Sequence, residues 1–152
     1  MANGVSTYLE TAVLNWMFKK TAMPTVPATL YYALHSADPG DTGASELTST
    51  GSYARAALAT DTNASTHVNY NAQVVSGTAQ MVSNLLNIAF PPATAAWNGG
   101  SAILWFSIWD ASTAGNCLYS GPIAGGSGVT VNNGTTLTFT GGATGQMTVS
   151  LD

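Results

Sequence analysis

The run Ala102–Trp109, AILWFSIW, is the most hydrophobic stretch of the chain and decides the expected fold class. Its length suits a strand that is buried on both faces in the core of a β-sandwich. A turn is expected at Asp110–Gly115, and Asn116–Tyr119, NCLY, is expected to be the strand that returns. This run therefore predicts a buried strand with its return strand close by in sequence.

Short strand patterns continue on both sides of this run. Turn residues separate them, among them Asp38-Pro39-Gly40, Asn98-Gly99-Gly100 and the hairpin signal Asn132-Asn133-Gly134. Further glycines, at Gly77 and in Gly141–Gly145, interrupt the later strands. With about seven to nine strands the pattern favours an all-β sandwich (jelly-roll-like) or a barrel. The further expected strands are Thr29–Leu34, Tyr53–Ala59, Gln73–Val75, Gln80–Ser83, Asn87–Phe90, Thr136–Thr140 and Met147–Leu151.

The N-terminus carries the one convincing helix pattern of the sequence. Apolar residues recur at three- and four-residue spacing from Val5 to Met17, which predicts a short α-helix with one apolar face over about residues 5–20. Thr7 and Glu10 fit a capping box at its start. We therefore expect one domain over residues 1–152, with the helix followed by a β-sandwich over about residues 28–152.

The chain carries unusually few charges. Only 7% of its 152 residues are charged, with a formal net charge of -4, whereas ordinary soluble domains carry about 25%. Nucleic-acid binding and polybasic membrane attachment need clustered Lys and Arg, so both are disfavoured. A hydrophobic fraction of 45% argues against disorder. The low number of charges favours a protein whose surface is covered in an assembly or exposed on a virion. The alternative is an ordinary β domain that is rich in Thr, Ser and Asn.

Targeting and membrane segments are not expected either. The N-terminal stretch lacks the basic region of a signal peptide, and Glu10 interrupts its apolar residues. The sequence has no run of 18 apolar residues, so a transmembrane helix is not predicted.

Candidate chemical groups are sparse. His35, His67 and the single Cys117 have no partners at metal-ligand or nucleophile spacing, and Cys117 is expected to be a small core residue. The loop carboxylates Asp38, Asp41 and Glu46 are the nearest approach to a calcium site, but their spacing matches no EF-hand, and capping of the loop's own backbone is the favoured alternative. The sequence thus predicts no catalytic, cofactor-binding or metal-binding residues, no cofactor and no enzyme activity.

The only arginine, Arg55, needs a partner because it lies on a predicted strand. Its favoured role is a bidentate ion pair that pins the long loop His35–Gly51, and the alternative is an interface anchor. Four carboxylates are candidate partners: Asp38, Asp41, Glu46 and Asp110.

The tryptophans divide by their surroundings. Trp105 and Trp109 lie in the most apolar run and are expected in the core. Trp97 precedes a glycine-rich turn, so it is the tryptophan expected at a loop edge, where carbohydrate stacking would be feasible.

Seven segments together resemble a widespread family of small structural proteins of tailed bacteriophages. They cover nearly the whole chain, and ADPGDTG and YAR followed by FSIWDA form the most specific combination. The resemblance implies a virion structural protein, often labelled a tail fibre protein, and carries over no catalytic residue. The segments are STYLETAVLNWMF (Ser6–Phe18), TLYYALHSADPGDTG (Thr29–Gly43), YARAAL (Tyr53–Leu58), IAFPPATAAW (Ile88–Trp97), FSIWDASTAGNCLYSG (Phe106–Gly121), GTTLTF (Gly134–Phe139) and MTVSLD (Met147–Asp152).

The leading functional prediction is a capsid decoration (cement) protein that binds the outer shell and stabilises contacts between capsid subunits. Its contact elements would be the N-terminal helix or the loop His35–Gly51. The alternative is a tail fibre or tail-tip component involved in host attachment. A lectin-like or hydrolytic domain is a third hypothesis, and the absence of paired carboxylates on adjacent strands speaks against a glycosidase.

The expected partners follow from these hypotheses. They are the major capsid protein or other virion proteins, and further copies of the chain in a homo-oligomer, with a trimer among the options. Neither nucleic acid nor membrane is an expected partner. The expected location is the virion, assembled in the host cytoplasm.

Overall fold

The computed structural model describes residues 4–63, 65, 67–76, 79–142 and 147–151. In this part of the chain one α-helix, α1, spans Thr7–Lys19, and short 3-10 turns lie at Gly40–Thr42, Thr50–Ser52, Trp97–Gly100 and Ala124–Gly126. The described strands are β1 (Gly4–Val5), β2 (Thr29–His35), β3 (Ala56–Ala59), β4 (Val74–Ser76), β5 (Ala79–Ser83), β6 (Ile88–Ala89), β7 (Trp105–Trp109), β8 (Cys117–Pro122), β9 (Thr138–Phe139) and β10 (Thr148–Leu151).

The largest sheet is built around the hydrophobic run. Its five strands are antiparallel in the order β1-β8-β7-β2-β3. Strand β7 lies at the centre, and four consecutive residues, Phe106–Trp109, are buried. A strand covered on both faces needs a continuous apolar run rather than an alternating one, so the prediction for AILWFSIW is confirmed for its second half. Ile103, in the first half, forms an isolated bridge to Val129 instead.

Two smaller antiparallel sheets, β10-β5-β4 and β6-β9, complete the β structure of the described residues. A single large hydrophobic cluster joins side chains of the five-stranded sheet to side chains of both smaller sheets. The all-β sandwich with one short N-terminal helix is therefore confirmed. The cluster includes Tyr32, Leu34, Leu58, Phe106, Ile108, Tyr119, Ile88, Phe139 and Met147.

The start of α1 differs from the predicted capping box. Ser6, in extended conformation, is the N-cap, and its Oγ accepts the backbone N–H of Leu9. The Ser6 hydroxyl also donates to the carbonyl of Cys117, and the Ser6 N–H donates to the carbonyl of Leu118. These bonds to β8 place the N-cap at Ser6, one residue before Thr7. A capping box needs its Glu three residues after the N-cap, and Glu10 lies four residues after Ser6.

The predicted hairpin at Asn132-Asn133-Gly134 forms its turn but does not join paired strands. Thr135 N–H donates to the Asn132 carbonyl, and Gly134 takes φ +79°. Beyond the turn, Phe139 pairs with Ile88 of β6. The hairpin prediction was wrong because, outside the turn itself, residues 131–137 bond to the segment 90–97. The predicted break at Gly77, and residues 143–145 of the break at Gly141–Gly145, lie outside the described residues.

Candidate interaction surface

Helix α1 carries four of the ten exposed large hydrophobic side chains of the described chain. None of its residues is buried, and the exposed fractions are 55% for Leu14, 57% for Trp16, 58% for Met17 and 71% for Phe18. The segment that follows adds Met23 and Val26, at 41% and 76%. We name these six residues the N-terminal apolar surface. The apolar face predicted for this helix is only partly covered. Tyr8, Leu9, Ala12 and Val13 are half-buried, whereas Trp16 and Met17 of the same pattern are exposed.

The helix is anchored at its start and exposed at its end. The Ser6 cap ties the first turn to β8, and the helix contacts β8 and the turn Gly40–Thr42. Leu14, Met17 and Phe18 are spaced by three and four residues, so they share one helix face. Trp16 is two residues from both Leu14 and Phe18, about 200° around the helix, so it lies on the other side. Exposed apolar residues on one helix face are typical of a surface that another protein covers.

The loop predicted as a contact element is held by a partly buried ion pair. Arg55 Nε and Nη2 donate to the two Glu46 carboxylate oxygens at 2.9 and 2.7 Å. Its Nη1 donates to the carbonyls of Ala111 and Ala114 at 2.8 and 2.9 Å, and the guanidinium lies 3.9 Å from the ring centre of Trp109. The structure thus shows the predicted bidentate pair, with Glu46 as the partner, joining the loop to the turn after β7.

The three loop carboxylates do not converge on one point. Asp38 accepts the N–H of Gly40 at 2.9 Å, which is the backbone-capping role that was favoured. Glu46 is occupied by Arg55 and by the hydroxyl of Tyr53 at 3.2 Å. In the described ranges, no group of three or more His, Cys, Asp or Glu side chains could hold a metal ion.

The buried side chains of His35 and Cys117 have structural contacts. The two His35 ring nitrogens lie 2.7 Å from the Ala44 carbonyl and 2.6 Å from Ser107 Oγ. Cys117 is buried as expected, its thiol faces the Tyr119 carbonyl at 3.7 Å, and burial raises its pKa to about 11. Neither environment activates a nucleophile, since a reactive cysteine needs a lowered pKa. His67 is exposed.

Stability should fall as the pH drops through about 6.5, because burial lowers the pKa of His35 in the folded state. The unfolded chain takes up a proton on this imidazole near pH 6.5 while the folded chain still excludes it, so acid favours unfolding. We expect the urea midpoint to be lower at pH 5 than at pH 8. His35→Gln should flatten this dependence, whereas His67→Gln should preserve it. An equally steep pH dependence in His35→Gln would contradict the assignment.

Trp97 does not lie at a loop edge, contrary to prediction. It is 1% exposed, its ring packs edge-on against Tyr53 and Phe90, and its Nε1 donates to the Gly51 carbonyl at 2.8 Å. The turn that follows it lies at the surface, but the indole points inward. Trp109 is buried as expected, and Trp105 is half-buried.

An apolar cavity of about 380 Å³, which was not predicted from the sequence, lies between the sheets and the start of α1. At its polar side the hydroxyls of Tyr32 and Tyr70 are hydrogen-bonded at 2.8 Å. Asp61 lies nearby and accepts three backbone N–H groups, of which that of Asn69 contributes most to lowering its pKa. No local motif marks this cavity, because its walls come from distant segments: Val5, Leu9, Leu30, Val82, Ile108, Leu118, Met147 and Val149.

Comparison with known proteins gives one family. A family model described as "Podophage GP4 fiber I protein gp80" matches residues 4–149 of the chain. No curated protein matches the sequence. Within the described residues, no helix has the length and apolar character needed to cross a membrane.

Proposed function

We propose that this chain, which belongs to the family of the podophage GP4 fiber I protein gp80, is a structural component of a phage fibre. The match over residues 4–149 is the observation that carries this proposal. Membership confirms the resemblance to virion structural proteins and makes the chain a virion-associated protein of a fibre-like family. It favours the tail fibre alternative over the capsid decoration role that the sequence analysis put first.

The surface chemistry supports a structural rather than a catalytic role. The exposed apolar side chains of α1 suit a protein that is built into an assembly, since an isolated soluble domain normally avoids such a patch. Only 7% of residues are charged, so few charges would have to be desolvated when neighbouring subunits cover the faces. The partners in this proposal are other virion proteins and further copies of the chain, and no enzyme activity is part of it.

Host attachment is the finer part of the proposal, and we expect the purified protein to compete with phage for host cells. Excess protein should slow phage adsorption severalfold, because it occupies the receptor that the fibre would bind. Adsorption is measured as free phage remaining over time, with heat-unfolded protein as the control. No competition at protein concentrations that saturate cell binding would contradict a receptor-binding role.

Labelling intact particles separates the fibre from the capsid proposal. Antibody against the folded protein should decorate the tail region in electron micrographs if the chain is a fibre component. Label over the head shell, together with reduced heat stability of particles that lack the protein, would instead support capsid decoration and overturn the fibre proposal.

A further inference from the structure

The N-terminal apolar surface includes one helix face that can form a small interface. Its six side chains are between 41% and 76% exposed. Three of them, Leu14, Met17 and Phe18, share one face of α1 and together expose roughly 300 Å², taking about 150–250 Å² for a full-sized aromatic side chain and somewhat less for the others. This face is smaller than the roughly 800 Å² that each partner contributes to a standard-size complex, so it suits a dimer that dissociates on dilution.

The outer face of α1 is suited to contact a copy of itself. Leu14, Met17 and Phe18 form one apolar stripe along the last turns, and the exposed residues Thr7 and Thr11 continue the same face with smaller side chains. A two-fold contact uses the same patch on both partners, so each favourable contact occurs twice. When two such stripes cross in opposite directions, Leu14 of one copy faces the partner's Phe18.

The charges of the helix favour this antiparallel direction. Glu10 lies in the first turn, Lys19 lies in the last turn, and Lys20 caps the end; all three are exposed. In an antiparallel pair centred on the stripe, Glu10 comes within about one helical turn, ~5.4 Å, of the end that carries the partner's lysines. A parallel pair would instead bring lysine beside lysine and glutamate beside glutamate.

We propose that a second copy of this chain covers the N-terminal apolar surface, with the two α1 helices packed antiparallel about a two-fold axis. The contact is a property of the folded chain in solution, so it does not depend on where the protein lies in the virion. It assigns the self-association surface to α1 and predicts a dimer as the building unit.

The mass of the purified full chain in solution tests this proposal. Light scattering over a dilution series should give a dimer that dissociates to a monomer. Phe18→Glu should weaken dimerisation by about 100-fold, because it buries a charge at the centre of the contact. Leu86→Glu is the matched control: Leu86 is 47% exposed but lies outside the N-terminal apolar surface, so this variant should remain a dimer. Both variants should keep the wild-type circular dichroism and melting temperature of the monomer.

A charge exchange tests the direction of the helices. Glu10→Lys should weaken the dimer severalfold, and adding Lys20→Glu should restore it, since each end would again face an opposite charge. Failure of the double variant to recover would overturn the antiparallel arrangement. A wild-type monomer at all concentrations, a trimer, or a dimer unaffected by Phe18→Glu would overturn the proposal as a whole.

Discussion

Replacing Trp97 with alanine is expected to lower the free energy of unfolding by about 3–5 kcal/mol. The indole is 1% exposed and contacts two aromatic rings, with ring centres 5.3 Å from Tyr53 and 6.2 Å from Phe90. Truncation leaves a cavity that this rigid cluster cannot fill, and it also leaves the Gly51 carbonyl without the indole N–H. Urea denaturation followed by circular dichroism measures the loss.

Two further tryptophan variants separate burial from residue type. Trp97→Phe should cost less than the alanine variant, because it keeps most of the aromatic packing and loses the hydrogen bond. Trp16→Ala should change the stability of the monomer little, because Trp16 is 57% exposed on α1. A loss below about 1 kcal/mol in Trp97→Ala, which is the range of surface changes, would show that this cluster does not contribute as the packing indicates.

The Arg55–Glu46 pair should be nearly as important for stability. Its side-chain exposures are 6% for Arg55 and 25% for Glu46. Arg55→Met should lower the free energy of unfolding by about 3–5 kcal/mol, because it leaves the Glu46 carboxylate with the Tyr53 hydroxyl as its remaining donor and the carbonyls of Ala111 and Ala114 without the guanidinium. Urea denaturation measured at pH 7 gives this value.

A double-mutant cycle isolates the pair from its surroundings. Glu46→Gln alone should also destabilise the protein, and the two changes together should cost less than the sum of the single changes, with a coupling of about 2 kcal/mol. Arg55→Lys keeps the charge but not the planar fork, so it should lie between wild type and Arg55→Met. If the stability losses of the two single variants are strictly additive, then the hydrogen bonds from Arg55 to the carbonyls of Ala111 and Ala114, and not the ion pair with Glu46, hold the loop.

The structural features that were predicted correctly are those that depend on residues close together in the sequence. The continuous apolar run of β7 indicated a buried strand, since only a strand covered on both faces lacks polar alternation. Helix α1 was predictable from its 3.6-residue period, with the structure placing it at Thr7–Lys19. The turn Asp38-Pro39-Gly40 likewise follows from local chemistry, because Asp38 caps the backbone two residues on.

Features that depend on distant segments were not predictable. Trp97 was misplaced because its hydrogen-bond acceptor, Gly51, is far away in sequence, and the adjacent glycines resemble a surface turn. Glu46 could be named only as one of four candidates for Arg55, since the choice depends on how β3 meets the loop. Periodicity showed that α1 has an apolar stripe, but whether the sheet or another chain covers it is a tertiary property.

The pairing of strand β1 with β8 has a consequence for synthesis in the cell. Gly4 and Val5 lie opposite Ser120 and Tyr119, so the N-terminal segment has no partner until the ribosome has released more than a hundred further residues. At about 5–20 residues per second, this takes roughly 10 s. Throughout that interval the segment Thr7–Lys19 is undocked, and its apolar side chains, including Leu14, Met17 and Phe18, are free to meet chaperones or other nascent copies.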